Sequence, residues 1–286
     1  MQSVPAQQTP ETADSSAPAR RRTYMIGLGA LLGGAANVVM QLGNPAVGRG
    51  VLESVVESGR YDLHPRKRGK TTLTYLAVAM IGTESDRAAY REATNNSHRH
   101  VRSSSDSKVA YNAFDPELQL WVAACIYQGI RDYLTLFFGS LDAATADDLY
   151  RECARFGTTL QMRPEMWPAD RAAFERYWES KAGAISIDDE VKAYLLDQVV
   201  NLGPHRRSYQ IVFAPVHRFF TTGFLPQRFR NELGLPWSPR RQRTFEAIMR
   251  AFGQLLVRLP VRWRLYPYEN YLADMRRRRA LGKPLT

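Results

Sequence analysis

Apolar residues recur along most of the chain at intervals of three and four, the spacing that gathers them on one helix face. The longest stripe, Phe245, Ile248, Met249, Phe252, Leu255, Leu256 and Leu259, predicts a helix over 239–259 whose stripe faces the core. The same reading predicts a buried helix near 35–42, ended by Gly43-Asn44-Pro45, and helices over 47–57, 71–81 and 85–94. Asp115-Pro116-Glu117 marks a helix start, a capping residue followed by proline in the first turn, and the apolar run continues to Phe138. Further helices are expected over 145–157, from Pro168-Ala169-Asp170 to about Ala182, and over 187–202, 215–224 and 226–233. No stretch alternates strictly for long enough to demand a sheet, although Val199-Val200 and Ile211–Phe213 have short β-like character. The pattern predicts an all-α fold: one mostly helical domain over 23–275, with no internal repeat.

The ends differ from this middle. Residues 1–22 are mainly Gln, Ser, Thr, Pro and Ala and are expected to form a disordered tail, while 276–286 form a basic tail. Arg20-Arg21-Arg22 precedes an apolar stretch from Met25 to Leu42, which has the look of an export signal or a membrane span. Four glycines, Asn37 and Gln41 make that stretch a poor spanning helix. A cytoplasmic protein without a stable membrane span is therefore expected, with export or membrane association through 20–42 as the alternative.

Composition narrows the classes. With 286 residues, 44% hydrophobic and 23% charged, the chain is long enough to bury a substantial core. Two cysteines, Cys125 and Cys153, exclude a disulfide scaffold and a four-cysteine metal site, and both fall in apolar helical patterns as expected of buried free thiols. The net charge of +11 suits an anionic partner, but the basic clusters are scattered and no nucleic-acid motif accompanies them, so no nucleic-acid partner is expected. There is no phosphate-binding glycine loop after a strand, no nucleophile elbow and no His-Glu-x-x-His.

Candidate chemistry concentrates between His64 and Val101. Arg68 and Thr72 are four residues apart and share a helix face. His98 and His100 are two apart, point in opposed directions on a helix and cannot ligate one metal together. Taken alone, these residues also suit a basic solvated turn with an ordinary polar histidine.

At these residues the chain resembles the rubber-oxygenase catalytic-domain family, which includes latex-clearing proteins and MpaB-type oxygenases, over roughly residues 25–270. The stretches that carry the resemblance are Gly33 through Gln41-Leu42-Gly43-Asn44-Pro45, Arg68-Gly69-Lys70-Thr71-Thr72 through Gly82-Thr83, His98-Arg99-His100-Val101, and Asn112 through Trp121-Val122. Leu225-Pro226 and Gly234-Leu235-Pro236-Trp237 fit the closing pattern. The resemblance implies a globin-like domain holding haem b, with His98 as the iron ligand, Arg68 and Thr72 on the catalytic face, and oxidation of a small organic, apolar substrate by O2. Lys70, with Arg66 and Lys67, is a candidate to bind the cofactor through a haem propionate. The chain departs from the pattern at Asn44 and Ala123, where many members carry histidine, and at Thr71, where the second basic residue is expected. His217 and His205 follow His98 as candidate ligands. The alternative of another class is a non-catalytic helical binding module that offers a basic face to an anionic partner.

Overall fold

The computed structural model describes residues 17–57 and 60–286. The part of the expected tail over 1–16 lies outside the described residues. Helical order begins with α1 (Ala17–Tyr24), α2 (Gly27–Leu42) and α3 (Pro45–Leu52). A tight turn at Gly82 and Thr83 joins α4 (Pro65–Ile81) to α5 (Glu84–His98). The longest helix, α6 (Pro116–Phe138), is followed by α7 (Ala143–Cys153), α8 (Arg155–Thr158) and α9 (Arg171–Gly183). Next, α10 (Asp189–Tyr194) runs into a wider π-helical turn, Leu195–Val200. The chain closes with α11 (Arg207–Phe224), α12 (Gln227–Leu233), α13 (Pro239–Leu256), α14 (Val261–Arg264) and α15 (Tyr268–Ala280). The fold is all-α. Among the described residues the nearest approach to a sheet is one isolated antiparallel bridge, Arg102–Asn112.

The helix starts follow local chemistry. Asn44, Thr83, Asp115, Asp142, Asp170, Asp188 and Ser238 each accept a hydrogen bond from a backbone N–H of the first turn. At Thr83 the cap is reciprocal, since Asp86 also accepts the Thr83 N–H. The core is built round α6, which buries Trp121, Cys125, Tyr127, Tyr133 and Phe137. Packed against α6 are α2 and α13; α11 lies against α2, and α15 against α4. Contact between α13 and α6 depends on Gly253, where a Cβ would stand 2.1 Å from the Phe137 carbonyl oxygen. Trp121 stacks on Trp178 at 5.4 Å, and Tyr127 meets Phe174 edge-on at 4.7 Å. Cys125 and Cys153 are buried and free, and burial pushes both thiols up, which keeps them protonated and unreactive.

Several boundaries differ from the expected ones, each for a local reason. Helical structure starts at Ala17, because Arg20 and Arg21 pair with Asp148 and Glu152 on α7. The tail boundary at residue 22 is therefore set too late. At the other end α15 runs to Ala280 and Arg276 grips Asp86, so residues 276–280 belong to the domain and not to a basic tail. The helix expected over 47–57 stops at Leu52, beyond which the Ser54 hydroxyl accepts the Val56 N–H and diverts the backbone. The Val199-Val200 and Ile211–Phe213 runs are both helical; burial of Val199 and Val200 overrides their β-like character, whereas Ile211–Phe213 is exposed and follows the rest of α11. Only half of the α13 stripe is core: Phe245, Met249 and Leu256 are buried, whereas Ile248, Leu255 and Leu259 are exposed. Within the stretch over 20–42, α2 buries Ala36, Val39, Met40 and Leu42 inside the bundle, while Leu31 stays exposed.

Candidate functional site

The segment with the densest candidate chemistry folds as α4, a short turn and α5. Pro65 occupies the first turn of α4, where its missing N–H costs nothing, so the helix starts six residues before the apolar run. Arg68 and Thr72 consequently share a face, as their spacing predicts. Arg68 is surrounded by protein, yet its side chain is exposed to solvent. Among the described residues it has no carboxylate partner and no side-chain hydrogen bond. Burial lowers its proton affinity, while the phenols of Tyr90 and Tyr194 lie close enough to act on its charge. Thr72 is half-buried one turn further on.

His98 is the last residue of α5. Its carbonyl accepts the Val101 N–H at 2.9 Å, closing the turn that the His-x-x-Val spacing encodes. Val101 and Ala113 then join the outgoing and returning arms of the loop, with Ala113 N–H donating to the Val101 carbonyl at 2.9 Å. That pairing delivers Phe114 edge-on to the imidazole, 6.4 Å between ring centres, and sets Asp115 to cap α6. Three of the stretches that carry the family pattern thus meet here. The opening stretch joins through Trp121, whose indole N–H donates to the Gln41 carbonyl at 3.0 Å.

The His98 imidazole is in an unusual state. Its Nδ1 is fully covered and has no hydrogen-bond partner in the protein. Burial, and secondly the Arg68 cation, hold its pKa down to about 4, so the ring is neutral at pH 7. Neutral imidazole is the form that ligates a metal. Among the described residues no cluster of three His, Cys, Asp or Glu could hold a metal ion by itself. A metal bound at His98 would need its other ligands from a cofactor, and a lone imidazole with a covered, unpartnered nitrogen fits a group of that kind.

The other candidates are placed differently. Lys70 points to α15, where Nζ donates to Asp274 at 2.5 Å. With Lys67 and Arg278 it lines a pocket of about 30 Å³ between α4 and α15, and the structure does not bring it to His98. Arg66 is exposed on the first turn of α4. His217 is committed to the Val200 carbonyl, 3.0 Å from Nδ1. His205, in the loop before α11, also has a covered, unpartnered Nδ1, but its ring stacks on Tyr209 of that helix. His64 and His100 are exposed. The two departures from the family pattern have structural uses here: Asn44 caps α3 and Ala123 is fully buried in α6.

Sequence reasoning passes over Tyr90, Phe114 and Tyr194. Tyr90 sits eight residues before His98, two turns back on the same face of α5, so the helical period carries a signal for it. Phe114 lies inside a stretch quoted for the resemblance. Nothing local marks Tyr194, which lies far along the chain on α10 yet close enough to act on the Arg68 charge.

Residues 21–254 match the family described as "ER-bound oxygenase mpaB/B'/Rubber oxygenase, catalytic domain". Two relatives, the uncharacterized proteins Rv2237 of Mycobacterium tuberculosis and Mb2261 of Mycobacterium bovis, are each 47% identical over 249 residues, covering 87% of this chain and 97% of theirs. No solved structure matches. The chain therefore belongs to the MpaB/rubber oxygenase catalytic-domain family, and is an enzyme of the oxygenase class.

Proposed function

We propose that this protein is a haem b-dependent oxygenase, a globin-like helical domain that uses O2 to oxidise an apolar organic substrate beside Arg68, Thr72 and His98. The observation that carries the reading is the covered Nδ1 of His98, neutral and unpartnered, beside an arginine that has no counter-ion. Haem, when bound, supplies the one-electron and O2 chemistry that no side chain offers. His98 would hold the iron. Phe114, edge-on to the imidazole, fixes the plane of the ring. Arg68 and Thr72 offer hydrogen-bond donors to negative charge that develops on oxygen atoms beside them. Arg66 is available to a propionate, whereas Lys70 is already paired.

The apolar substrate class is supported by the N-terminal half of α11. Tyr209, Ile211, Val212, Phe213 and Val216 are left uncovered there. Tyr209 is close enough to Tyr61, and Tyr61 to Tyr194, for their charges to act on one another, and this series of phenols leads to Arg68.

The test is an absorption spectrum of protein expressed with a haem precursor, before and after dithionite and with carbon monoxide. A Soret band that shifts on reduction and again with carbon monoxide is expected. His98→Ala should lose the band while helical content by circular dichroism is retained. A well-folded protein that takes up no haem overturns the reading, and full haem content in His98→Ala moves the ligand to His205.

A further inference from the structure

After Leu256 the chain leaves the core and returns at Leu265; both side chains are buried and pin the ends of the segment. Between them the protein presents an unusual surface. From Leu255 to Leu265 the only polar side chains are Arg258, Arg262 and Arg264. Leu255, Val257, Leu259, Val261, Trp263 and Tyr266 are 40–63% exposed. No acidic residue occurs between Glu246 and Glu269. Arg258 and Arg262 are exposed and, among the described residues, have no carboxylate partner. The patch extends along α2: Gly27 lies against the Tyr266 backbone, where a Cβ would stand 1.7 Å from the carbonyl oxygen, and Leu31 one turn further on is also exposed.

A water-facing connection is ordinarily polar, and a contiguous apolar patch on a protein surface marks a binding face. The chemistry selects the partner. Aliphatic side chains alternate with arginines along one short stretch, so the former can enter an acyl boundary while the guanidinium groups stay at phosphate level. Trp263 and Tyr266 have the amphipathic rings that settle at membrane interfaces. The net charge of +11 draws the whole chain toward an anionic surface, and the segment contains no acid to oppose it. No helix among the described residues is long and apolar enough to cross a membrane, so the contact lies in the plane of the interface.

We propose that Leu255–Tyr266 is a membrane-docking segment that seats the protein on anionic phospholipid. The inference does not depend on the cofactor. It is tested by cosedimentation of the full chain with vesicles of about 7:3 phosphatidylcholine to phosphatidylglycerol and with pure phosphatidylcholine. Binding is expected to the first, to be weak to the second, and to fall as NaCl is raised from about 50 to about 500 mM. The double variant Leu259→Ser/Trp263→Ser should weaken binding by at least about tenfold. Arg258→Gln/Arg262→Gln should weaken it by about 25-fold, or about fivefold for each arginine. All four side chains are exposed, so circular dichroism should be unchanged; should the apolar variant unfold, the arginine variant still decides. The proposal is overturned if neither vesicle binds, or if the arginine variant binds as tightly as wild type, since the general charge would then be the cause. It is also overturned if the variants change only the oligomeric state, which would make the patch a contact between copies of this chain.

Discussion

Helix α4 has two faces built from the same residue types, and they behave in opposite ways. On one face Lys70 donates to Asp274 of α15, and the Thr74 hydroxyl returns to the Lys70 carbonyl at 2.7 Å. The neighbouring α5–α15 contact follows the same rule, since Arg276 donates to Asp86 through both Nε and Nη2, at 3.1 and 2.6 Å. On the other face Arg68 has no anion, the Thr72 hydroxyl has no partner among the described residues, and His98 Nδ1 is orphaned. Of these groups only His98 Nδ1 is fully covered, and leaving a buried polar atom unpaired costs about 1–3 kcal/mol, whereas Arg68 is exposed to solvent. The satisfied face is an interface. On the proposed reading, the other face offers its groups to the cofactor and O2.

Asp86 gives the comparison its largest test. Its side chain is 6% exposed, receives the Arg276 guanidinium and completes the capping box of α5. Burial works against its charge, but the bonds from Arg276 and Thr83 outweigh it and hold the carboxyl below the usual range. Asp86→Ala is expected to cost about 3 kcal/mol, a fall in melting temperature of about 6–12 °C, with haem uptake per folded molecule unchanged. Arg68→Met is expected to do the reverse. Thermal stability should be unchanged, because the exposed Arg68 side chain has no carboxylate partner to lose, while turnover of haem-loaded enzyme falls about a hundredfold and Thr72→Val falls about tenfold. A large loss of stability in Arg68→Met, read by thermal denaturation, would mean that the guanidinium is structural after all.

How much of this contrast can be read from sequence depends on the face. The all-α fold is legible in the three-and-four spacing, and the Arg68–Thr72 pairing follows from their being four apart. The turn after His98 is legible only through the family pattern, because no propensity rule marks a His-x-x-Val closure. The partners on the satisfied face are not legible. Lys70 meets Asp274 and Asp86 meets Arg276 across 204 and 190 residues, and such pairing is decided by how α15 docks. For the same reason Lys70, next to Thr71 in the pattern, is indistinguishable in sequence from a cofactor ligand. The α13 stripe misleads in the opposite direction: periodicity gives a face, but tertiary packing covers only half of it.

Acid separates the two faces by their titration. The His98 pKa is lowered to about 4, so between that value and the unfolded value near 6.5 the unfolded chain binds a proton that the native chain does not. The contribution is fully present above pH 6.5 and is lost as pH falls toward 4. In apo protein, wild type is expected to lose about 2 kcal/mol more than His98→Leu over that window, in urea unfolding series at paired pH values. The lowered Asp86 carboxyl acts only further down: its stabilisation is present above the unfolded carboxylate value near 3.9 and fades below it. Equal acid sensitivity in wild type and His98→Leu would show that the imidazole is solvated.

Lys70 is the residue on which the two faces are most easily confused, and its test is the most exacting because the expected change is smallest. The ammonium is 40% exposed, and Asp274 keeps a second partner in Arg277 when it is gone. The Asp274 carboxyl is held down first by the hydrogen bond from Lys70, with Arg277 and Arg278 adding to the effect. Lys70→Met preserves most of the aliphatic stem against α15 and removes one partly solvated ion pair, so the expected cost is about 0.5 kcal/mol, less at high salt. Haem content, the ferric and ferrous Soret positions and turnover should match wild type. If haem affinity falls instead, the ammonium leaves Asp274 when the cofactor binds. The division of α4 into a structural and a functional face would then hold for the apo protein alone.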